Sequence, residues 1–314
     1  MKRSKVVIIG AGHVGNHCAS SLILFGVCNE IVLIDLDEEK ARSNAMDLAD
    51  SMCFMPHPVE IRVGSYEDCT DADIVIISAG VKRLPGQTRL DTLGATIQTL
   101  KPIIPKLQAS AFSGILVTIS NPADIVANYF RSRLNLPKSR VFGTGTSLDT
   151  ARLKRVLSEK LSVDRRSITA CCLGEHGDSS MIPFSTITVG QKPFYEYIKE
   201  HEPVLNLDLH EVLTTTRRIG MDIIEGKGST EYGIGAVAAD LCKAILNDEH
   251  RVLPVSAYLE GEYGQKELHI GVPAVIGANG IEEIIELKLD DEEMKLFHTS
   301  CDVIKQHIRL ADEI

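Results

Sequence analysis

Short apolar runs alternate with longer amphipathic segments along the first half of the chain. The runs are apolar at consecutive positions, which is typical of parallel strands buried on both faces. The clearest runs are residues 6–9, 31–34, 74–78 and 115–119, with shorter ones near Val59 and Val141. Strands that alternate with helical segments predict a parallel α/β sheet.

An amphipathic segment begins near Arg89, where apolar residues recur at alternating three- and four-residue spacing. These residues are Leu90, Leu93, Ile97, Leu100, Ile104 and Leu107. Pro102 and Pro105 fall inside the segment. Because proline removes a backbone donor and clashes with the preceding turn, we expect the helix to be kinked or interrupted there.

The pattern changes after about residue 145. It predicts helices over 147–161 and 208–225 and strands over 169–173 and 185–189. Before the last helix, Asp290 is followed three residues later by Glu293, the signature of a capping box. The chain has no internal repeat or flexible linker, so we expect two domains, residues 1–144 and 145–314, that share one interface.

Composition narrows the classes of function. The 314 residues carry 43 Asp plus Glu against 33 Lys plus Arg, a formal net charge of −10. An acidic chain without a basic run is poorly suited to nucleic acid or an anionic membrane, and no apolar run approaches the ~18 residues that span a bilayer. The eight cysteines follow no disulfide-framework or CxxC spacing. We therefore expect reduced thiols, no metal and a cytoplasmic protein.

A glycine-rich turn, GAGHVG, directly follows the first predicted strand. Gly10 permits a tight turn, Gly12 lets the backbone approach a pyrophosphate, and Gly15 lets the helix pack closely. The helix N-terminus then offers N–H groups to phosphates. Asp35 ends the second strand, twenty residues past Gly15, where a carboxylate binds ribose hydroxyls and repels a 2′-phosphate. The pattern predicts NAD rather than NADP.

Two alternatives for this turn are a glycine loop that binds nothing and the glycine turn of a methyltransferase. The strand before the turn, the helix after it and the acidic residue downstream argue against the first alternative. The third glycine argues against the second, as do the polar residues that follow along the chain.

Polar residues lie where an α/β sheet places its ligand loops. Arg89 follows the fourth predicted strand and Asn121 the fifth, while His176 lies in a turn flanked by glycines. Asp149 and Arg152 are three residues apart on a predicted helix, so they share one face. Taken singly, such residues are usually solvated and inert. Together they predict a catalytic site.

Four segments, GAGHVG, SNPAD, LDTAR and GEHGDS, resemble in order and spacing the motifs of the L-lactate and malate dehydrogenase superfamily. The bacterial-type L-lactate dehydrogenases are the most similar branch, and the resemblance runs from about residue 5 to about residue 310. It implies a Rossmann doubly wound parallel sheet followed by a mixed α/β catalytic domain. It also implies NAD-dependent interconversion of an L-2-hydroxy acid and its 2-oxo acid. The alternative is a NAD-binding protein without activity, against which the intact polar residues argue.

The resemblance assigns roles to individual residues. It implies that His176 is the acid/base, whose ordinary pKa near 6.5 suits proton exchange near neutrality, and that Asp149 holds the other ring nitrogen. Arg152 would bind the substrate carboxylate through its planar fork. Arg89 would polarise the carbonyl from a loop that closes over the substrate. Asn121 would contact the substrate or the nicotinamide.

The remaining positions line two sides of one pocket, and the resemblance places Thr230 on the substrate side. The implied cofactor-binding residues are Gly10, Gly12, Val14, Gly15, Asp35, Ala79, Gly80, Ser120, Asn121 and Ile234. The superfamily forms dimers and tetramers, so a homo-oligomer of one of these kinds is implied. The partner molecules are then a small 2-oxo or 2-hydroxy acid and NAD.

In this superfamily the residue six positions before the loop arginine largely determines which substrate is preferred. That residue here is Arg83. Malate enzymes carry Arg there and lactate enzymes usually Gln, because a second cation pairs with the extra carboxylate of oxaloacetate. The lactate form of the histidine motif and Thr230 point the other way. We expect L-lactate and pyruvate as the substrates, with malate or a bulkier L-2-hydroxy acid as alternatives.

Many bacterial lactate enzymes bind fructose 1,6-bisphosphate between subunits through an Arg and a His. The matching positions here hold Lys154 and Thr169. Lys meets a phosphate only as a point charge and Thr adds no cation. We therefore expect weak or absent activation by this effector.

Overall fold

A computed structural model describes residues 3–82, 84, 86–88, 90–205 and 207–314, with backbone alone for 202–205. The first half alternates strands and helices as the apolar pattern predicts. Its strands are β1 (Lys5–Ile9), β2 (Glu30–Ile34), β3 (Glu60–Val63), β4 (Ile74–Ile77), β5 (Ile115–Thr118) and β6 (Val141–Gly143). Its helices are α1 (His13–Phe25), α2 (Glu38–Asp50), α3 (Leu93–Leu100), α4 (Ile103–Ala109) and α5 (Ala123–Arg133).

These six strands pair in parallel in the order β3-β2-β1-β4-β5-β6. This doubly wound order confirms the predicted α/β fold, and the winding reverses between β1 and β4. Ligands bind at the carboxyl ends of strands beside such a reversal. Gly10 and Ser78 directly follow β1 and β4, so the topology places a binding cleft at these two turns.

The second half mixes helices with antiparallel strands. Its elements are α6 (Ser147–Leu161), β7 (Ile168–Thr169), β8 (Thr188–Val189), β9 (Lys192–Pro193), α7 (Phe194–Leu205), α8 (Leu209–Lys227), α9 (Tyr232–Leu246), β10 (Arg251–Glu260), β11 (Lys266–Gly277), β12 (Gly280–Ile284) and α10 (Asp291–Asp312). Strands β10–β12 continue the large sheet beside β6, and β7–β9 form a small sheet of their own. The boundary predicted between 144 and 145 falls between β6 and α6.

Two helical predictions are confirmed in detail. The amphipathic segment before β5 is split into α3 and α4, with Pro102 as the N-cap of α4 and Pro105 in its first turn. The first turn of a helix has no intrahelical use for the missing proline N–H. Helix α10 begins with the predicted capping box, in which Asp290 and Glu293 each accept the other's backbone N–H.

The strand predicted over 169–173 is wrong beyond Thr169, where β7 ends. The Cys172 backbone bonds to threonine hydroxyls of α6 and of its N-cap instead of to a neighbouring strand. Its N–H donates to Thr150 Oγ1 at 2.9 Å, and its carbonyl accepts from Thr146 Oγ1 at 2.6 Å. An apolar run cannot reveal that side chains will satisfy its backbone.

The strand predicted over 185–189 is likewise wrong before Thr188, where β8 begins. Ser185 lies in a short 3-10 turn, Phe184–Thr186. Its N–H and its hydroxyl both donate to the Glu293 carboxylate, at 3.0 and 2.5 Å. The carboxylate that caps α10 therefore also fixes this turn.

One buried ionisable residue in the sheet has a consequence for stability. His269 on β11 is fully buried, with Nε2 3.0 Å from the Val141 carbonyl oxygen. Burial lowers the pKa of His269 from 6.5 to about 3, so the folded chain holds this ring neutral where the unfolded chain would protonate it. The stabilising contribution is full above pH 6.5 and is lost progressively as the pH falls towards 3.

We predict that His269→Gln will flatten the acid side of the stability profile. Between pH 6.5 and pH 5 the unfolding free energy of the unsubstituted protein should lose about 2 kcal/mol to this residue, at ~1.4 kcal/mol per pH unit. Urea unfolding of both proteins at several pH values measures the difference. Exposed His210 supplies the control, since His210→Gln should leave the profile unchanged. Equal slopes for His269→Gln and the unsubstituted protein would contradict the prediction.

Within the described part of the chain, no helix is long and apolar enough to cross a membrane. All eight cysteines are free thiols, and the cysteine spacing predicts the same state.

Candidate active site

A cleft of about 440 Å³ lies at the carboxyl ends of β1, β4 and β5. The turn after β1 lines one side, and α6, the histidine loop and the segment between α8 and α9 line another. The predicted site residues that line the cleft are Gly12, Val14, Gly80, Ser120, Asn121, Arg152, His176, Thr230 and Ile234. Five more predicted residues, Gly10, Gly15, Asp35, Ala79 and Asp149, are not among the lining residues. Gly15 and Ala79 are neighbours of lining residues in the sequence, Gly10 and Asp35 hold the glycine turn, and Asp149 bonds to His176 and Arg152.

The glycine turn has the shape that a pyrophosphate requires. Gly10 has a φ of +102°, and a Cβ there would lie 2.5 Å from the Ala79 nitrogen of the next strand's turn. A Cβ on Gly15 would lie 2.0 Å from the Gly10 oxygen, so α1 packs against the turn only because both are glycine. Gly12 has open space beside it and lines the cleft. The backbone and the N-terminus of α1 are therefore accessible to phosphate oxygens.

Asp35 joins the end of β2 to this turn. Its Oδ2 accepts the Ala11 N–H at 2.6 Å, and its Oδ1 accepts the Asp37 N–H at 3.1 Å. The carboxylate is half-buried at the end of the strand, beside the glycine turn. A carboxylate held in this place is the group expected to accept from ribose hydroxyls.

The turn after β5 is fixed to the turn after β4. The Ser120 hydroxyl lies 2.6 Å from the Ala79 carbonyl oxygen and 3.1 Å from the Ile77 carbonyl oxygen. Asn121 and Gly80 line the cleft next to this contact. Both turns therefore line the cleft together with the glycine turn and His176.

The loop that carries His176 is closed at its base. Leu173 and Met181 pair as an antiparallel bridge, with N–H to carbonyl distances of 2.9 and 2.8 Å. Gly174 pairs in the same way with Gly271 of β11 and has a φ of +90°. A side chain at Gly174 would meet the backbone strain of that φ and would lie against α10. The first glycine of the GEHGDS motif therefore lets the loop turn away from β11.

Helix α6 positions the side chains around His176. The His176 Nδ1 is hydrogen-bonded to Asp149 Oδ2, and Arg152 Nη1 donates to the other oxygen, Oδ1, at 3.1 Å. Asp149 and Arg152 are buried, and Arg152 and His176 line the cleft. Since Nδ1 faces Asp149, Nε2 is the ring nitrogen placed to exchange a proton with a molecule in the cleft. One carboxylate thus orients both a proton carrier and a cation.

A second carboxylate, which the sequence analysis did not identify, lies under the same loop. Asp124 Oδ2 accepts the His176 backbone N–H at 2.8 Å, and Oδ1 accepts the Ser256 hydroxyl of β10. Both acceptor and hydroxyl are buried. Burial raises the pKa of Asp124 to about 7, although the two hydrogen bonds oppose that shift. Its only signal in the sequence is its place in the SNPAD motif.

Apolar and polar side chains share the side of the cleft opposite the glycine turn. Thr230, predicted on the substrate side, and Ile234, predicted on the cofactor side, both line the cleft, together with Leu148 and Ile224. Lys82 also lines the cleft and adds a positive charge that the sequence analysis did not single out.

Two predicted residues, Arg83 and Arg89, lie outside the described residues. The predicted role of Arg83 in substrate specificity and that of Arg89 in polarising the carbonyl therefore rest on the sequence.

One group in the described chain has the residue types of a metal site. Asp248, His250 and Glu282 are close together and exposed, and none lines the cleft. His250 Nδ1 is 2.8 Å from Glu282 Oε2, and Nε2 is 3.3 Å from Asp248 Oδ1. These contacts are those of a surface ion-pair cluster, which is worth little in stability.

Comparison with known proteins agrees with this geometry. Residues 4–143 match the lactate/malate dehydrogenase NAD binding domain, and residues 146–314 match the lactate/malate dehydrogenase alpha/beta C-terminal domain. An L-lactate dehydrogenase of Fusobacterium nucleatum subsp. nucleatum is 45% identical over 312 residues, 99% of this chain and 98% of that protein. L-lactate dehydrogenase 3 of Bacillus cereus is also 45% identical, over 98% of this chain and 99% of that protein.

Solved structures give the same result. The minor L-lactate dehydrogenase of Enterococcus mundtii in its ligands-bound form superposes with a TM-score of 0.94 at 43% identity, covering 98% of both chains. The malate dehydrogenase of Cryptosporidium parvum superposes with a TM-score of 0.93 at 30% identity, covering 100% of both chains. The chain belongs to the lactate/malate dehydrogenase family, with an NAD-binding first half and an α/β second half.

Proposed function

We propose that this protein is an NAD-dependent L-lactate dehydrogenase, which interconverts L-lactate and pyruvate. The observation that carries the proposal is the His176 ring, bonded to Asp149 through Nδ1 and facing the cleft that Arg152 also lines. Reduction of a 2-oxo acid needs a proton donor for its carbonyl oxygen and a cation for its carboxylate. This cleft holds both on one side.

The proton moves at His176 Nε2. In the reduction direction the imidazolium protonates the carbonyl oxygen as it becomes an alkoxide, and in the oxidation direction the neutral ring accepts the hydroxyl proton. Asp149 binds Nδ1, so it fixes the tautomer and stabilises the imidazolium. NAD, when bound, supplies the hydride acceptor or donor at the same carbon.

Arg152 binds the substrate carboxylate, and Arg89 polarises the substrate carbonyl. Because Asp149 and Arg152 share one face of α6, a single helix sets the spacing between the proton carrier and the carboxylate site. The Asp149 contact at 3.1 Å also fixes the plane of the guanidinium. The substrate is thereby oriented with its reacting carbon towards His176.

The residues of the cleft fit NAD. Gly12 and the N-terminus of α1 would hold the pyrophosphate, and Asp35 would bind the ribose hydroxyls. Ser120, Asn121 and Ile234 would line the nicotinamide side. These residues orient the cofactor and exclude water beside His176.

Pyruvate is supported as the substrate by the L-lactate dehydrogenases that resemble this chain over nearly its whole length. The apolar wall of Leu148 and Ile224 also suits a methyl group. Malate is the second candidate, favoured by Arg83 and by the likeness to the Cryptosporidium parvum malate dehydrogenase.

A scan of 2-oxo acids tests the proposal. NADH absorbance would be followed with pyruvate, oxaloacetate, 2-oxobutyrate, 2-oxoisocaproate and phenylpyruvate, and kcat/KM compared. We expect pyruvate to give the highest value. A higher value for oxaloacetate would replace lactate by malate, and a higher value for a larger acid would indicate a bulkier substrate. No turnover with any acid would favour a NAD-binding protein without activity.

We predict that Arg83→Gln will raise the preference for pyruvate over oxaloacetate by about tenfold or more. The substitution removes a cation that would pair with the second carboxylate of oxaloacetate and would be uncompensated beside a methyl group. The ratio of the two kcat/KM values measures the change. As a control, Lys138→Gln removes a cation from an exposed ion pair with Glu260 and should leave the ratio unchanged. If the ratio in Arg83→Gln equals that of the unsubstituted enzyme, Arg83 does not discriminate between the two substrates.

We also predict that fructose 1,6-bisphosphate changes the KM for pyruvate by less than about twofold. Lys154 is half-buried, and its ammonium meets a phosphate only as a point charge, without the planar fork of an arginine. Thr169 is exposed and contributes no charge. Pyruvate saturation curves with and without the effector provide the measurement, and a large fall in KM would contradict this expectation.

We propose a homo-oligomer, a dimer or a tetramer, and a cytoplasmic location. Large apolar side chains on and beside α2 are exposed in the single chain, among them Leu36, Met46 and Phe54. Such a surface is typical of a subunit interface. Light scattering on the purified protein counts the subunits, and the mass of a single chain would contradict the proposal.

A further inference from the structure

His176 is held from two sides by two different carboxylates. Asp149 of α6 bonds to the ring, and Asp124 of α5 bonds to the backbone N–H of the same residue at 2.8 Å. Asp124 is 1% exposed, and its other oxygen accepts from Ser256, which is fully buried on β10. A buried carboxylate that accepts from two donors makes the contacts of its ionised form, because an ionised carboxylate only accepts hydrogen bonds.

Asp124 lies in the first turn of α5, where the helix dipole favours negative charge. The surrounding protein opposes that charge, because Asp124 is buried and two further carboxylates, Glu175 and Asp149, act on it. These opposing effects leave its pKa at about 7. The charged and titratable groups around the loop are Asp149 and Arg152 from α6, Glu175 from the loop itself, Arg217 from α8 and Cys301 from α10.

We propose that Asp124 is a positioning residue that fixes the His176 backbone and, through its negative charge, makes the His176 ring hold its proton more tightly. This rests on the proposed function, in which His176 carries the proton. The 2.8 Å bond to the backbone N–H places the Asp124 carboxylate beside His176, and a negative charge close to an imidazole favours its protonated form. Ser256 contributes to the same effect, because its hydroxyl donates a hydrogen bond that stabilises the ionised form of Asp124.

The variant Asp124→Asn tests the charge at nearly constant shape. The amide oxygen still accepts the His176 N–H, and the amide nitrogen donates to the Ser256 hydroxyl, so the backbone stays in place. The kcat/KM for pyruvate reduction falls as the pH rises and His176 loses its proton. The midpoint of this fall should lie about one pH unit lower in Asp124→Asn than in the unsubstituted enzyme. The variant Ser256→Ala should move the midpoint in the same direction by less, since it removes only one donor to Asp124.

A second measurement needs no turnover. The His176 resonance in ¹³C-histidine-labelled enzyme, identified by its loss in His176→Gln, would be titrated in each variant. The control is Asp302→Asn, which removes an exposed carboxylate from α10, next to buried Cys301. It should leave the His176 midpoint unchanged. A merely structural role for Asp124 would lower the melting temperature and the active fraction without moving either midpoint.

The outcomes separate the two proposals. If the titration of the His176 resonance has a lower pH midpoint in Asp124→Asn, the inference is supported even if no 2-oxo acid is reduced. In that case only the proposed function fails. An unchanged midpoint in folded Asp124→Asn overturns the inference whatever the enzyme reduces. Where Asp124→Asn does not fold, Ser256→Ala decides, and an unchanged midpoint there overturns it.

Discussion

Replacing His176 by Gln will lower kcat/KM for reduction of the preferred 2-oxo acid by roughly 10²- to 10⁴-fold, the contribution of a positioned general acid. Gln is close to histidine in size and keeps a polar end, but it carries no exchangeable proton of suitable pKa. The loss arises in the chemical step, so kcat should fall by about as much as kcat/KM. Steady-state kinetics with NADH measures both.

The control is His210→Gln, which changes an exposed histidine on α8 and should leave the rate unchanged. NADH binding, followed by the quenching of its fluorescence, should be similar in His176→Gln and in the unsubstituted enzyme, because the glycine turn is untouched. A loss of less than about tenfold in kcat would contradict the assignment of the proton to His176. A large loss of NADH affinity would mean that the substitution damages the cleft.

The parallel half of the fold could be predicted because its signals are local. Most strands of this half are short apolar runs, and the run of residues 74–77 is buried along its whole length. Strand β3, with the sequence EIRV, gives the weakest signal. The glycine turn is similarly local, since Gly10 and Gly15 act within a few residues of each other. A contact that depends on near neighbours in the sequence can be inferred from residue types and spacing.

The antiparallel strands β10–β12 were not predicted, and the reason is visible in their sequence. Strand β10 contains Pro254 and half-buried positions, and Glu267 in β11 has a φ of +63°. Such segments do not show the regular alternation of apolar and polar residues that identifies a strand with one buried face. The pairing of β10 with β11 depends on a hairpin closed through Gly261 and Gly264, and that of β10 with β6 on the register of Ser256 with Gly143.

The candidate site divides in the same way. His176, Asp149 and Arg152 could be proposed because their motifs resemble those of a family, and the structure brings the three side chains together. Asp124 could not be assigned a role, because its importance depends on Ser256, which is 132 residues away along the chain. Long-range partners of a buried carboxylate leave no pattern of spacing in the sequence.

The second large effect is expected for Arg152→Lys, which keeps the positive charge and removes the planar fork. A guanidinium bonded to Asp149 Oδ1 at 3.1 Å has a fixed plane and further N–H groups with which to bind a carboxylate. An ammonium at the end of a flexible chain has neither. We expect kcat/KM for pyruvate to fall by about 10²-fold, equivalent to about 3 kcal/mol. The KM for pyruvate should rise strongly, while NADH affinity stays the same.

Arg155 offers a matched control on the same helix, because it is half-exposed, does not line the cleft and forms a long ion pair with Glu159 at 4.0 Å. Arg155→Lys should leave the KM for pyruvate unchanged, which would show that the effect at Arg152 comes from the geometry of the site and not from the residue type. If Arg152→Lys keeps KM within about threefold of the unsubstituted value, Arg152 does not bind the substrate carboxylate. The contact with Asp149 would then be its whole role, and the cation for the substrate would have to come from another residue, such as Lys82, which also lines the cleft.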